Sequence, residues 1–371
     1  MVRIGIIGMG NMGRGHVDYL LKNKIKNCKL VAICDLIKPQ DPLYEDLKFY
    51  FDYKELIRSG EIDAVIVATP HYSHTYIGAY ALEHNIHTLV EKPISVHVND
   101  CMKLINAHKN TVFSAMFNQR TRPPHIKLKE IIPELGKIQR ITCICTNWYR
   151  TQAYYNSSPW RATWSGEGGG ILLNQCPHQL DLIQWLAGMP KEIYAHISLG
   201  KYHNIEVEDE VISFWTYEDG KICTFIGSTG EFPGTERLEF EGEFGKVVFE
   251  ENKIRYWKNN VSSIEYANIH NEKKIGEPKA KTSANYFNTP KTNYEEYEFK
   301  EDIYFLNQHA IITQNFVNAI EYGEKLISSG EEGIKSVELA NAMILSGIKN
   351  KKVSLPLDPM EYENLLNELK G

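Results

Sequence analysis

The sequence has no CxxC pair, no internal repeat, no stretch approaching the ~20 apolar residues of a membrane span, and no excess of positive charge. Each absence removes a class of function. The seven cysteines, at 28, 34, 101, 143, 145, 176 and 223, are scattered and lack a His-rich partner cluster, so no metal site is expected. Their odd number also argues against a disulfide framework. With 41 Lys and Arg against 47 Asp and Glu the net charge is −6, so no global basic field draws a phosphate backbone. Nucleic acid is therefore not expected as the principal partner, and neither is a membrane. The opening MVRIGIIGMG runs into a strand pattern within a few residues, leaving no room for a secretory signal, and the expected location is cytoplasmic.

What is present is ordinary in bulk and specific in detail. A hydrophobic content of 43% and a charged content of 24% suit a soluble globular protein, and 371 residues are too many for one core. Two domains follow as the expectation, residues 1–120 and 121–371. In the first, Arg3 to Ile7, Leu30 to Cys34, Ala64 to Ala68 and Thr88 to Val90 read as buried strands. Helical patterns at Met12 to Lys24, Ser73 to Glu83 and Val98 to His108 alternate with them, which predicts a doubly wound parallel sheet. After Arg120 the pattern changes to alternating stretches at Gln139 to Trp148, Val211 to Tyr217, Ile222 to Ser228, Arg237 to Glu241 and Lys246 to Glu250. Those suit a mainly antiparallel sheet with one face covered. Residues 258–300 read as loop-rich surface, and helices are expected over Phe305 to Tyr322 and Ser336 to Asn350, ahead of a strand at Val353 to Leu355.

Three segments carry chemistry. The first, Gly8-Met9-Gly10-Asn11-Met12-Gly13, is a GxGxxG between a strand and a helix. Gly8 permits the tight turn, Gly10 lets backbone approach a pyrophosphate, and Gly13 allows close helix packing. The phosphate then lies at a helix N-terminus. Asp35, ending the second strand, would accept from both ribose hydroxyls and repel a 2′-phosphate, so NAD is expected rather than NADP. The second is Glu91-Lys92-Pro93, directly after a parallel strand and so at the edge that faces the ligand crevice; taken alone it equally fits a surface Glu-Lys pair. The third is GGGILLNQCPHQLD, Gly168 to Asp181, with Asn174, His178 and Asp181 at helical offsets. By itself an Asn and a His four apart also fit a buried hydrogen-bonded pair. Pro177 removes a donor and clashes with the carbonyl of Leu173, so a kink or a new helix start is expected there.

Together, GxGxxG at 8–13, Ala68-Thr69-Pro70 with His74, Glu91-Lys92-Pro93, and GGG followed by His178 and Asp181 resemble the Gfo/Idh/MocA family of nicotinamide-dependent sugar and cyclitol oxidoreductases. The resemblance runs to the closing helix and strand at Ser336 to Pro356. It implies a Rossmann domain followed by an α/β domain with a large open sheet, and a homodimer or homotetramer. It brings Thr69, Pro70, His74, Glu91, Trp160 and Arg161 to the cofactor, and it makes Lys92 a contact of both substrate and nicotinamide ribose. Oxidising a secondary alcohol requires a group that stabilises the forming alkoxide and one that takes its proton, and an ammonium and a neutral imidazole have those capacities. Lys92 and His178 match these roles, with His178 as base in oxidation and acid in reduction.

The chain departs from the common family pattern at position 174, where an Asp is usual and Asn stands. Asn cannot ionise, so Asn174 is expected to orient substrate through hydrogen bonds, and Asp181 to hold the imidazole of His178 or cap locally. Asn118, Arg120, Tyr149 and Tyr155 are candidates for contacting a carbohydrate, with an interdomain seam as the alternative, and Asp181 is a further candidate substrate contact. The leading expectation is hydride transfer between a ring hydroxyl of a sugar, glycoside or cyclitol and NAD. Two others stand beside it: a hydrolase or lyase that uses transient oxidation, and a non-enzymatic nucleotide-binding regulator.

Overall fold

The computed structural model describes residues 1–270, 289–300 and 306–371. Its first part runs β1 (Val2–Ile7), α1 (Asn11–Leu21), β2 (Cys28–Cys34), β3 (Lys48–Tyr50), α2 (Tyr53–Arg58), β4 (Ala64–Val67), α3 (His71–Glu83), β5 (His87–Val90), α4 (Val98–Ala107) and β6 (Phe113–Ala115). These strands pair in parallel in the order β3-β2-β1-β4-β5-β6. The order reverses beside β1, where a doubly wound sheet opens its ligand crevice. Strands such as β4, Ala-Val-Ile-Val with every residue buried, are apolar throughout because helices cover both faces.

The second part runs α5 (Pro123–Ile131), β7 (Ile138–Cys145), α6 (Gln152–Tyr155), α7 (Ile171–Asn174), α8 (Pro177–Ala187), β8 (Glu192–Leu199), β9 (Glu208–Thr216), β10 (Ile222–Ser228), β11 (Glu236–Gly242), β12 (Gly245–Glu250) and β13 (Lys253–Asn259). It ends with α9 (Ser263–His270), β14 (Thr292–Glu298), α10 (Leu306–Tyr322), α11 (Gly333–Lys349), β15 (Val353–Ser354) and α12 (Pro359–Lys370). Nine strands form one sheet, β14-β13-β12-β11-β7-β10-β9-β8-β15, in which only β7 and β10 are parallel neighbours. In β9 the residues Val211, Ser213 and Trp215 are buried while Ile212 and Phe214 are exposed, the alternation of a sheet with one covered face. Helices α8 and α11 lie on the covered side, their apolar residues merging with Ile193, Val211 and Phe225 in one core.

The structure revises the sequence reading in two places. Residues 258–300 are not loop throughout: β13 continues to Asn259, and Thr292–Glu298 pairs with it as an edge strand, while residues 271–288 lie outside those described. The helix expected over Phe305 to Tyr322 is described from Leu306. The division at residue 120 is also crossed. Ala310, Ile312, Phe316 and Val317 of α10 share a core with Ile4, Val17 and Leu89, so the chain returns to the parallel sheet before closing the second one. Among the described residues no helix is long and apolar enough to cross a membrane.

Candidate active site

At the nucleotide end the three glycines answer to different constraints. Gly8 has φ +96°, and a Cβ there would lie 2.6 Å from the carbonyl of Ala68. A Cβ on Gly13 would come within 1.8 Å of the Gly8 carbonyl, whereas one on Gly10 would enter open space. Gly10 is the N-cap of α1 and no side chain caps that end, with Asn11 exposed and Met12 half-buried at its head. Uncapped backbone N–H groups beside open space fit a pyrophosphate. Asp35 is oriented by backbone: Oδ2 accepts from Met9 N at 2.6 Å and Oδ1 from Ile37 N at 3.3 Å. Thr69 and Pro70 border the same crevice at the start of α3. His74, in contrast, has both ring nitrogens engaged by backbone, on the carbonyls of Pro93 at 2.8 Å and Thr69 at 2.6 Å. It ties the α3 turn to the Lys92-Pro93 turn, and its polar atoms are not turned to a cofactor.

Glu91 and Lys92 separate at the end of β5. Glu91 is buried and faces inward, where Oε1 meets His16 Nε2 at 2.7 Å; His16 continues to Tyr19, and Tyr19 to Thr313 of α10 at 2.7 Å. Burial alone would raise the Glu91 carboxyl, but the bond and charge of His16 outweigh it and hold the group at about 2. Glu91 is therefore an ionised anchor beneath the site rather than an open cofactor ligand. Lys92 turns the other way, and its Nζ donates to the carbonyl of Asn174 at 2.8 Å. Burial pushes its ammonium down, opposed by the charges of Glu91 and Glu167.

That carbonyl is free because the helix breaks. The α7 turn ends at Asn174, Cys176 N bonds back to Ile171 O at 2.8 Å, and a new helix begins with Pro177 at its first position. The three glycines make the tight entry possible: a Cβ on Gly170 would lie 1.9 Å from the Glu208 carbonyl. The Glu208 carboxylate accepts from Gly170 N at 2.8 Å and Leu172 N at 3.1 Å, which fixes α7. Asn174 donates its Nδ2 to Glu167 Oε1, and its Oδ1 faces Tyr154 OH at 3.4 Å. His178 stands half-buried at the start of α8, edge-on to Phe117 with ring centres 6.2 Å apart. Its Nδ1 is buried and meets no hydrogen-bond partner among the described residues. Burial and then the charge of Lys92 push this imidazole well below its ordinary pKa, so it is neutral and able to take a proton.

Lys92 and Asn174 thus meet, and the charge of Lys92 reaches His178, but two other candidates do not join them. Asp181 makes no bond to His178. It lies on the buried side of α8, where its oxygens meet Arg120 Nε at 2.8 Å and Nη2 at 2.7 Å, and Gln184 Nε2 at 2.8 Å. Arg120, 2% exposed, also donates to Glu332 at 2.6 Å and to the Ile327 carbonyl at 3.0 Å, so neither partner of this pair faces a substrate. The reading of both as substrate contacts is corrected: the three-residue offset placed Asp181 near His178 along the chain but could not show a guanidinium from 61 residues earlier.

The remaining candidates spread around the rim. Asn118 is buried with Nδ2 toward Gln308 and His309 of α10, and its Oδ1 is buried without a partner among the described residues. Tyr155 is 6% exposed, its hydroxyl 2.9 Å from Thr229 Oγ1, while Tyr149 is exposed against Phe232. Trp160 packs edge-on to His71 beside α3, and Arg161 donates to Tyr154 OH at 2.8 Å. A groove of about 700 Å³, lined by Tyr155, Ser158, Arg161, Asn204 and Glu206, includes neither Lys92 nor His178. Sequence reasoning missed His16, Glu167 and His309. Glu167 carried a signal, as an acid directly preceding the glycine triplet.

Residues 2–116 match the family described as oxidoreductase family, NAD-binding Rossmann fold, and residues 125–248 match the GFO/IDH/MocA C-terminal domain. The protein YteT from Bacillus subtilis is 30% identical over 46% of this chain and 40% of its own length. Inositol 2-dehydrogenase of Salmonella paratyphi B is 28% identical over 37% of this chain and 43% of its own. The aligned chain therefore spans less than half the length of these relatives. Among solved structures, the WlbA dehydrogenase from Chromobacterium violaceum, in complex with NADH and UDP-GlcNAcA, superposes with a TM-score of 0.77 at 24% identity, covering 96% of each chain.

Proposed function

The chain belongs to the Gfo/Idh/MocA oxidoreductase family, and from that membership we propose that it transfers hydride between a ring secondary alcohol of a sugar, glycoside or cyclitol and NAD. The observation that carries this reading is the lysine ammonium held on the Asn174 carbonyl beside a neutral imidazole. Bound NAD supplies the hydride acceptor and donor. Everything else is work for the chain's own residues. The Gly8 to Gly13 turn and Asp35 bind the dinucleotide by its phosphates and ribose. Lys92 directs its remaining N–H groups and charge at the substrate oxygen, where negative charge grows as the proton leaves. His178 takes that proton in oxidation and returns it in reduction. Asn174, unable to ionise, orients the substrate through its amide.

The first test is direct. Lys92→Ala and His178→Ala are each expected to lower kcat/KM by a factor of about 100 or more, as loss of a charge stabiliser or general base does. Turnover within a factor of a few of wild type in either variant would discard the mechanism. A screen of monosaccharides, inositols and glycosides, following NADH absorbance alongside released sugar, identifies the substrate. Sugar release without net NADH would favour the transient-oxidation chemistry instead. For assembly we propose a homodimer or homotetramer through the open face of the nine-stranded sheet, where Tyr194, Ile212 and Phe214 are exposed. Light scattering that returns a monomer mass would reject it.

A further inference from the structure

Glu167 has no part in the proposed chemistry so far, yet it is 1% exposed and lies one residue from the glycine triplet. A buried carboxylate in that place requires a reason. Its oxygens have separate partners: Oε2 accepts from Ala162 N at 2.7 Å, and Oε1 accepts from the side-chain amide of Asn174. The Arg161 guanidinium stands 4.0 Å from Oε1.

A carboxylate accepts and cannot donate, whereas an amide has one face of each kind. Contact with Glu167 therefore settles which way Asn174 points. Nδ2 is turned to the carboxylate and Oδ1 to the opposite side, toward Tyr154 OH. The same residue's carbonyl holds Lys92 Nζ. Glu167 thus acts on Lys92 twice, through the Asn174 backbone that its bond helps to fix and through its own negative charge, which favours the ammonium against burial. No salt bridge to Lys92 is found among the described residues.

We propose that Glu167 is a positioning residue of the hydride-transfer site: it fixes the Asn174 amide with its acceptor toward the substrate side and supplies the negative charge that sustains the Lys92 ammonium. The carboxylate absent at position 174 is provided from position 167. This rests on the reading that Lys92 and His178 carry the reaction, and its test is separable from that reading.

The test has an arm without turnover. Competitive acetylation of the apo protein over a pH series, read by mass spectrometry on the Lys92 peptide, reports the ionisation of that amine. In Glu167→Gln the midpoint is expected to fall by about one pH unit, the order expected for loss of one nearby buried charge. Glu167→Asp should keep it near wild type. An unchanged midpoint in a folded Glu167→Gln protein would overturn the inference even if wild type turned over no substrate. In the kinetic arm, Glu167→Gln is expected to lower kcat about tenfold at neutral pH and to move the alkaline limb of the pH profile down, with KM for NAD within about threefold.

If Glu167→Gln does not fold, Asn174→Asp and Asn174→Asp with Glu167→Gln decide. The single variant sets two carboxylates against each other and should lose activity, and the double variant moves one carboxylate to 174 and should recover at least tenfold over the single. No recovery would overturn the proposal, and so would recovery of activity with the Lys92 acetylation midpoint a unit or more below wild type, because the exchange remakes the amide–carboxylate contact itself and only the midpoint reports the charge at Lys92.

Discussion

Removing the guanidinium of Arg120 tests whether the residue is structural, as its contacts require, or substrate-binding, as its place in the chain suggests. Arg120 follows β6, Asp181 lies on α8, and Glu332 with Ile327 comes from the segment between α10 and α11, so one side chain joins three distant stretches. The pair is 1% and 0% exposed on its side chains, and the guanidinium also stacks over Phe117 and Trp185 at 5.7 and 5.6 Å. Arg120→Met leaves the Asp181 carboxylate in the core with Gln184 as its remaining side-chain partner. Breaking a buried pair in this way costs about 3–5 kcal/mol. Asp181→Leu should cost less, since Arg120 keeps Glu332 and the Ile327 carbonyl. The double variant removes both charges and should recover at least ~2 kcal/mol relative to the sum of the singles. Urea unfolding followed by tryptophan fluorescence measures all four corners of the cycle. A loss below ~1 kcal/mol in Arg120→Met would refute the structural assignment. So would a stable double variant whose kcat/KM fell a hundredfold or more, because that loss would place Arg120 on the substrate.

Two further outcomes are expected. If Asp35 excludes a 2′-phosphate, NAD should bind at least about tenfold more tightly than NADP, and Asp35→Ser should narrow the ratio; equal affinities in fluorescence titrations of wild type would reject that role. Burial pushes the Glu208 carboxyl up to about 7, ahead of the opposing pull of its backbone hydrogen bonds. Since this folded-state value is raised above the ordinary 4.5, the contribution to stability is complete below pH 4.5 and is lost as pH rises to about 7, where it levels off. At ~1.4 kcal/mol for each pH unit the loss amounts to about 3–4 kcal/mol at most. Glu208→Gln keeps an acceptor for Gly170 and Leu172 and cannot ionise, so its urea midpoint should gain on wild type between pH 5 and pH 8. Parallel pH curves for the two proteins would contradict the buried-acid assignment.

The parallel sheet was readable because its strands are continuous apolar runs cut by glycine turns, and that pattern is local. The same holds for β9 and β10, whose alternation records one covered face. Edge strand β14 reads Thr-Asn-Tyr-Glu-Glu-Tyr-Glu and is exposed along nearly its whole length, so no alternation marks it; pairing with β13 makes it a strand. The new helix start at Pro177 follows from proline chemistry alone. By contrast, the return of α10 to the first sheet and the pairing of Arg120 with Asp181 join residues far apart in the chain. Helical offset states which residues share a face, not which distant group meets that face. His16 was missed for the same reason, since its partner Glu91 lies 75 residues away.

The arrangement around Lys92 explains how one lysine can be both anchored and available. An ammonium has three donors and no acceptor. One donor goes to the Asn174 carbonyl, a neutral group that holds the nitrogen in place without cancelling its charge. The two nearby carboxylates are engaged elsewhere. Glu91 is bonded to His16 and gives its second oxygen to the Lys92 backbone N–H at 3.2 Å, and Glu167 is bonded to Asn174 and Ala162. Both therefore favour the ammonium by their field while leaving its other donors open among the described residues. A direct salt bridge to either would occupy those donors and weaken the positive field that the proposed role of Lys92 at a forming alkoxide calls for. The helix break contributes to this: in an unbroken helix the carbonyl of Asn174 would also accept from the N–H of residue 178, and Lys92 would share its neutral anchor. The break at Pro177 and the chemistry assigned to Lys92 are thus parts of one arrangement.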